Sequence, residues 1–415
     1  MTVYRGWWVV LVSGIGLMLH YGPVISGTFG VFLKPLSEEF GWSRTEISLG
    51  FSLSTLVLSA ALPIIGRLLD RFGARRVIVP SLLLFGLGVL SFSILLPELW
   101  HFYAIYVLLG VVGSGTTPVS FSKVISHWFD RRRGIALALI ATGSSLGAFV
   151  LPPFAQALID SVGWRQAYFL LGLLVIAVTV PVVGLFLRDT PQMVGLLPDG
   201  DRESPDAAPT PALHEHGLSN REAWRSGTFW LIVVAFFLMS VSFHGCFIHL
   251  VPMLTDRGIP GREAALALSL LAVGSMTGRL GAGYLLDRFF GPHIAIALFG
   301  LATTGILLLW SGLGGGWAFL AATLLGLGMG AEGDIVPYLL SRYFGLRAFG
   351  EIYGYAFTAF VLGAVIGPLV MAASFDVTGS YRLVLAVFVA ATLTATGLMS
   401  RLGSYPGWEM RPQPA

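Results

Sequence analysis

Twelve long apolar stretches, separated by short polar gaps, constrain this chain more than any other feature of its sequence. Most of them contain 20 to 26 residues, and a helix of that length crosses a hydrocarbon core of ~30 Å. Only 11% of the residues are charged and the mean hydropathy is +0.80, which leaves no room for a large water-soluble domain. The sequence therefore predicts an all-α membrane protein with twelve transmembrane helices. We place these spans at about 7–33, 46–69, 77–97, 102–125, 135–160, 166–187, 228–254, 263–286, 293–312, 317–341, 351–375 and 383–402.

The arginines and lysines predict the orientation, because cytoplasmic loops carry an excess of these residues. With the N-terminus inside, the cytoplasmic side collects seventeen of the 25: Arg5, Arg67, Arg71, Arg75, Arg76, Arg131, Arg132, Arg133, Arg188, Arg202, Arg221, Arg225, Arg288, Arg342, Arg347, Arg401 and Arg411. The outer side holds six: Lys34, Arg44, Arg165, Arg257, Arg262 and Arg382. We therefore expect both termini in the cytoplasm. The distribution also explains the net charge of +3 without a nucleic-acid partner.

The longest polar segment, 188–227, is expected to be a cytoplasmic linker without a core of its own, because it combines five prolines with scattered charges. His214 and His216 lie in it, but two ligands are too few for a metal site. Near its end, Ser219 and Glu222 have the spacing of a capping box, which predicts a short interfacial helix before the seventh span.

The chain resembles itself at an offset of about 217 residues. The segment GRLLDRFG at 66–73 matches GYLLDRFFG at 283–291, and SHWF at 126–129 matches SRYF at 341–344. This repeat predicts two six-helix halves, 1–187 and 228–415, joined by the linker 188–227. Such an arrangement is typical of an alternating-access carrier, whose substrate site lies near the middle of the membrane.

The segment GRLLDRFGARR at 66–76 resembles the G-x-x-x-D-R-x-G-R-R signature of the major facilitator superfamily, and 283–291 is similar to a weaker second copy. The resemblance covers the whole chain and implies the fold of that superfamily. It also implies that cytoplasmic charge pairs formed by the signature hold the outward-open state. The residues expected to serve this conformational gating are Gly66, Asp70, Arg71, Arg75, Asp287 and Arg288. The plainer alternative is that these charges only obey the positive-inside rule.

Within the superfamily, the chain most resembles the monocarboxylate transporter branch, including its bacterial oxalate/formate-type relatives. The resemblance is carried by RGWW at 5–8, FLK at 32–34, WFDRRRGIALA at 128–138, and Arg279 in span eight. Members of that branch pair this arginine with an aspartate four residues earlier and use a lysine within span one. Here Ser275 occupies the first position and 21–32 contains no lysine. The usual proton relay of the branch is therefore not carried over to this sequence.

Arg279, Glu332 and Asp334 are buried charges without counterparts in the other half, since the aligned positions are leucine, glycine and threonine. An arginine within a span costs several kcal/mol unless it faces a cavity or a partner. We expect Arg279 to bind the carboxylate of a substrate. Asp334 or Glu332 would balance Arg279 in the empty site or carry a coupled proton. The two acids are about 200° apart around a helix, so one of them is expected to face the cavity.

A permanent salt bridge between spans eight and ten is the alternative for this group. Tyr21, His249 and Tyr338 are further candidates for substrate contact, and His244 is a further candidate for proton coupling. Each has a plainer explanation as a packing residue within the bundle. Lys123, near the end of span four, is expected to extend its ammonium to the membrane edge.

The leading interpretation is a secondary transporter of a small organic anion, most consistent with a monocarboxylate, coupled to protons or to anion exchange. The alternative is an efflux pump for amphiphilic or drug-like compounds, in which Arg279 would be structural. An enzyme is not expected, because the HExxH, GxSxG and P-loop patterns are missing. Neither a metal nor a cofactor is expected, and Cys246 is the only cysteine. We expect a monomer surrounded by membrane lipid, in a bacterial inner membrane.

Overall fold

The computed structural model describes residues 4–200, 217–312 and 314–406. Within them it contains helices and one isolated β-bridge, between Gly217 and Gly345. The helices are α1 (Gly6–Met18), α2 (Phe29–Phe40), α3 (Arg44–Phe72), α4 (Ala74–Ser91), α5 (Leu99–Gly113), α6 (Pro118–Trp128), α7 (Arg133–Val162), α8 (Trp164–Leu174), α9 (Val180–Phe186), α10 (Asn220–Arg225), α11 (Gly227–Asp256), α12 (Gly261–Leu286), α13 (Gly291–Ser311), α14 (Gly316–Phe344), α15 (Phe349–Thr378) and α16 (Arg382–Met399). The described residues include twelve helical stretches long and apolar enough to cross a membrane. The predicted fold class is confirmed.

The first predicted span, 7–33, is not one continuous helix. Helix α1 ends at Met18, Gly22–Gly27 forms a π-helical turn, and α2 begins only at Phe29. Pro23 lies in this interruption, where it lacks the N–H that a helix needs and crowds the carbonyl four residues earlier. The regular α-helical hydrogen-bonding pattern is therefore interrupted within the first span.

The fourth predicted span, 102–125, is interrupted in the same manner. Helix α5 ends at Gly113, the chain continues through a 3-10 turn, and Thr117 is extended, with ψ 168°. The ring of Pro118 disfavours the helical conformation for the residue before it. The hydroxyls of Thr116 and Thr117 each donate to a carbonyl three residues earlier, both at 2.7 Å. These hydroxyl groups satisfy part of the backbone that the break leaves without helical hydrogen bonds.

Glycines allow helix backbones to come close together at equivalent places in the two repeats. On α7, Gly143 and Gly147 lie so close to the backbone of α1 that a Cβ at either position would collide with a carbonyl. On α15, Gly363 and Gly367 lie against the backbone of α11 in the same way. Small residues at such crossings promote helix association in lipid, where the hydrophobic effect does not drive it.

The chain divides into two compact units. As far as their residues are described, the first unit comprises Met1–Arg132, Leu139–Glu215 and Ala348–Gly354, and the second comprises Arg133–Ala138, His216–Arg347 and Tyr355–Ala415. The first unit therefore contains the first turns of α15, whose remainder belongs to the second unit. The second unit contains the first turns of α7, whose remainder belongs to the first unit. We call the helix ends near Arg67 and Arg76 the basic end of the first unit. The helix ends near Arg288 and Arg347 are the basic end of the second unit.

Both ends of the linker 188–227 make defined contacts, and 201–216, with His214 and His216, lie outside the described residues. In the first unit, Tyr4 donates its hydroxyl proton to the carbonyl of Leu197, at 3.2 Å. The carboxylate of Asp199 accepts from two successive N–H groups of the loop before α7. In the second unit, the predicted capping box forms at Ser219 and Glu222, and helix α10 begins there. Hydrogen bonds from Ser219 hold the pKa of the Glu222 carboxyl below its usual value.

Candidate functional site

Helices α12 and α14 cross at glycines in the second unit, and this crossing positions Arg279. A Cβ at Gly278 of α12 would collide with the carbonyl of Leu327, and one at Gly330 of α14 would collide with the carbonyl of Ser275. Arg279 follows Gly278 directly, so its side chain leaves α12 close to the backbone of α14. Its Nε donates to the carbonyl of Gly330, at 3.2 Å.

Asp334 is the carboxylate that faces Arg279. The Arg279 Nε lies 3.4 Å from the Asp334 Oδ2, and the two side chains are 20% and 5% exposed. Asp334 lies one turn after Gly330, on the face of α14 that packs against α12. Of the two carboxylates that the sequence left open, this one forms the ion pair across the two helices.

Glu332 lies on a different face of α14 and is only 1% exposed. Within the described part of the chain, neither of its carboxylate oxygens has a hydrogen-bond partner. Between the two acids, a Cβ at Gly333 would meet no atom within 4 Å. The face of α14 at Gly333 is therefore open, Asp334 is paired beside it, and Glu332 is enclosed.

Tyr21 lies in the first unit, where the interruptions of the first and fourth spans meet. Its N–H donates to the Thr116 Oγ1, at 3.3 Å, and its hydroxyl donates to the Ser54 Oγ, at 2.9 Å. The side chain is buried, and a Cβ at Gly113 would touch its ring. Tyr21 thus joins the two breaks, and it does not share a unit with Arg279.

The remaining candidates also lie in the second unit and form hydrogen bonds with other groups. The Tyr338 hydroxyl donates to the carbonyl of Leu286 at the end of α12, at 2.6 Å. His244 Nδ1 lies 3.0 Å from the carbonyl of Ser240, in its own helix. His249 Nε2 lies 3.2 Å from the carbonyl of Pro368, and its Nδ1 lies 3.4 Å from the Tyr381 hydroxyl. Each of these side chains is therefore engaged in contacts between or within helices.

Two of the expected gating residues, Gly66 and Asp70, hold the first turn of α15 within the first unit. A Cβ at Gly66 would collide with the carbonyl of Gly350, so the glycine permits a close crossing. One turn later, Asp70 accepts from the N–H groups of Gly350 and Glu351, at 2.9 and 2.8 Å. A carboxylate at a helix N-terminus satisfies donors that have no intrahelical partner and stabilises the helix dipole.

The second copy of the signature repeats this arrangement in the second unit. Asp287 accepts from the N–H groups of Gly134 and Ile135, at 2.6 and 3.0 Å, in the first turn of α7. Gly283 lies against the backbone of Gly134. The spacing G-x-x-x-D therefore has the same structural role in both copies. The glycine admits a neighbouring helix, and the aspartate one turn later binds its N-terminus.

The arginines of the signature have different environments from the aspartates. Arg71 and Arg288 lie over the aromatic rings of Phe72 and Tyr284, with the guanidinium carbon 5.1 and 3.6 Å from the ring centres. Arg75 donates a guanidinium N–H to the carbonyl of Gly184, at the end of the sixth span. Each of these arginine contacts lies within one unit. In both copies of the signature, the helix N-terminus is bound by the aspartate.

Lys123 is a residue whose role the sequence analysis missed. It does not extend to the membrane edge, because its side chain is 10% exposed and its Nζ lies 2.7 Å from the Asp70 Oδ1. The Nζ also donates to the carbonyl of Leu69, at 2.7 Å. Glu351 was missed as well, and it accepts from the Arg67 guanidinium at 2.6 Å. The similar depth of Lys123 and Asp70 in their spans was the signal that could have paired them.

Comparisons with known proteins identify the family. The family model described as Major Facilitator Superfamily matches residues 9–368. The chain belongs to the major facilitator superfamily. It is 30% identical to monocarboxylate transporter 11 of Homo sapiens, over 91% of this chain and 79% of the relative. It is 28% identical to monocarboxylate transporter 13 of Bos taurus, over 96% and 89% of the two chains.

The solved structures agree with this superfamily. The solved structure of the proton:xylose symporter XylE has a TM-score of 0.72 at 15% sequence identity, over 97% of this chain and 96% of that one. At this identity the likeness shows the fold alone. The major facilitator fold is thus confirmed, and so is the resemblance to the monocarboxylate transporter branch. This major facilitator protein is a transporter by family.

Replacing Asp70 with alanine is expected to destabilise the protein, because it leaves the buried Lys123 ammonium without its carboxylate and two N–H groups of α15 without an acceptor. Removing one partner of a buried ion pair costs about 3–5 kcal/mol. The measurement is the Tm of the purified protein in detergent. Arg71→Ala is the matched control, since Arg71 is exposed. Equal losses in both variants would contradict this reading.

Proposed function

We propose that this chain is a secondary active transporter that moves a small organic anion, a monocarboxylate, by alternating access. We propose that the movement is coupled to protons or to anion exchange. The observation that carries the proposal is the Arg279–Asp334 pair, whose nearest atoms are 3.4 Å apart beside the open face at Gly333. A cation placed there within the span, with its side chain partly exposed, is suited to an anionic ligand.

The chemistry of the pair supports an anion rather than an apolar substrate. A guanidinium is planar and presents several donors that match the two oxygens of a carboxylate. The hydrogen bond from Nε to Gly330 orients that plane. Asp334 balances the charge while the site is empty, and an arriving carboxylate competes with it for Arg279. The empty site therefore remains close to neutral, which limits the cost of keeping an arginine within the span.

The names of the relatives point in the same direction. Two relatives along nearly the whole chain are called monocarboxylate transporters. The structural neighbour XylE is a proton:xylose symporter, which favours proton coupling as one mode for this fold. We carry both properties to this chain as parts of the proposal. The amphiphile-efflux alternative gives Arg279 only a structural role and uses neither its charge nor the open face beside it.

The proposal also covers orientation and gating. We assign the basic ends to the cytoplasm of a bacterial cell, with the halves 1–187 and 228–415 joined by 188–227. Asp70 and Asp287 each bind the first turn of a helix whose remainder belongs to the other unit. Water can replace a carboxylate as acceptor for those N–H groups, so such contacts can open and re-form as access alternates.

The direct test of this function is counterflow in proteoliposomes. Vesicles loaded with unlabelled lactate, pyruvate or oxalate are expected to accumulate the labelled anion, because exchange through one site needs no other driving force. A pH gradient across the same vesicles then separates proton coupling from exchange. Transport of a cationic dye without any of these anions would favour efflux and refute the proposal.

Arg279→Gln is expected to abolish anion uptake while the amount of protein in the membrane stays the same. Glutamine keeps a donor for Gly330 but removes the positive charge that the carboxylate needs. Uptake of labelled lactate, normalised to protein detected in the membrane, checks the result. Arg221→Gln, at an exposed position of α10, is the control that should transport normally. Normal lactate uptake by Arg279→Gln would remove Arg279 from the site.

The double variant Arg279→Gln/Asp334→Asn separates anion binding from a permanent salt bridge. It removes both charges and leaves no uncompensated ion in the span. We expect it to be as stable as the native protein and still inactive, because the cation for the substrate is missing. If the pair were only structural, the neutral double variant would regain the transport that each single variant loses.

A further inference from the structure

Glu332 is a buried acid that the proposed anion site does not use. It is 1% exposed, and in the described part of the chain both of its carboxylate oxygens are without a hydrogen-bond partner. Asp334, two residues later, has Arg279 at 3.4 Å. Two acids on one helix therefore occupy opposite situations, one beside a cation and one enclosed without a counter-charge.

The packing of α14 explains this difference. Gly328, one turn before Glu332, faces α13 and α11, since a Cβ there would lie 2.6 Å from the Cβ of Ala302 and 3.1 Å from the Phe243 ring. Positions four residues apart share a helix face. Glu332 therefore lies on the side toward α11 and α13. Asp334 lies on the side toward α12.

Among the described residues, no side chain on the side toward α11 and α13 forms a hydrogen bond with Glu332. Helices α11, α12 and α13 pack against α14. The titratable groups that they carry within the membrane-spanning stretches are His244, Cys246, His249, Asp256, Arg279, Tyr284 and His293. Arg279 is directed to Asp334 on the other side of α14, and His244 and His249 lie against backbone carbonyls. A buried carboxylate ion without a partner is far costlier than the neutral acid, so Glu332 holds a proton in this conformation.

We propose that Glu332 carries the coupled proton, on a face of α14 separate from the Arg279–Asp334 pair that binds the anion. This inference rests on the proposed function. In the step that we propose, the O–H bond of the Glu332 carboxyl breaks when another conformation admits water. The proton passes to that water and leaves the carboxylate behind. Uptake from the opposite side restores the acid.

The charge balance of this scheme is consistent over a full cycle. With the anion bound, the arginine, the aspartate, the neutral Glu332 and the substrate together carry one negative charge. In the returning empty site, the substrate is absent and Glu332 is ionised, so the total is again one negative charge. The charge that moves in one half of the cycle moves back in the other, so no net charge crosses the membrane in a full cycle. Transport is expected to respond to the pH gradient and not to an imposed potential.

The test is Glu332→Gln in proteoliposomes, with lactate as the probe. Glutamine has nearly the shape of the neutral acid but cannot release a proton. We expect lactate counterflow to persist and accumulation driven by the pH gradient to be lost. Glu38→Gln is the matched control, because Glu38 is exposed and lies outside the span, and it should keep both activities. Accumulation by Glu332→Gln that equals the native level overturns the inference.

A second measurement on the native protein does not depend on the folding of a variant. Dicyclohexylcarbodiimide reacts with protonated carboxyls in apolar surroundings, and mass spectrometry locates the adduct. We expect labelling at Glu332 together with loss of gradient-driven uptake. Labelling that spares Glu332 overturns the inference. Absence of lactate counterflow in the native protein would refute the proposed function instead, so the two failures can be told apart.

Discussion

Close approach of helix backbones at glycines is the constraint on which the polar contacts of this protein depend. Gly278 and Gly330 bring α12 and α14 together, and only at that separation does Arg279 reach Asp334. Gly66 brings α3 to the first turn of α15, and only then does Asp70 reach two of its N–H groups. In lipid the hydrophobic effect does not hold helices together, so small residues and the hydrogen bonds that they permit take that role.

In the low dielectric of the interior, a carboxylate is stable as an ion only where a cation or N–H donors compensate its charge. Asp70 and Asp287 bind helix N-termini, and Asp70 also has the Lys123 ammonium. Asp334 is beside Arg279. Glu332 has no such partner in the described chain, and burial without a partner favours the neutral acid. The same physical cost underlies the roles that we propose for these acids: gating contacts for Asp70 and Asp287, a balancing charge for Asp334 and an exchangeable proton for Glu332.

Much of the site could be predicted from residue type and the internal repeat. A charge without a counterpart at the repeat offset drew attention to Arg279, Glu332 and Asp334, and two of these form one ion pair. Lys123 was misplaced because its depth fits either an ammonium that extends to water or one that meets a carboxylate. The similar depth of Asp70 indicates the second only once the two helices are known to be neighbours. The substrate contact of Tyr21 stays a prediction, and the structure adds that its hydrogen bonds join the breaks of two spans.

The sequence by itself determined the class of the protein, the number of its spans and the two copies of the signature, since apolar length and residue spacing are local properties of the chain. It also limited the charges within the spans to a few residues. Only the tertiary structure decided which acid pairs with Arg279, which remains enclosed, and where the signature aspartates bind. Those outcomes depend on the rotation of each helix about its axis and on the close crossings at glycines, which no single segment specifies.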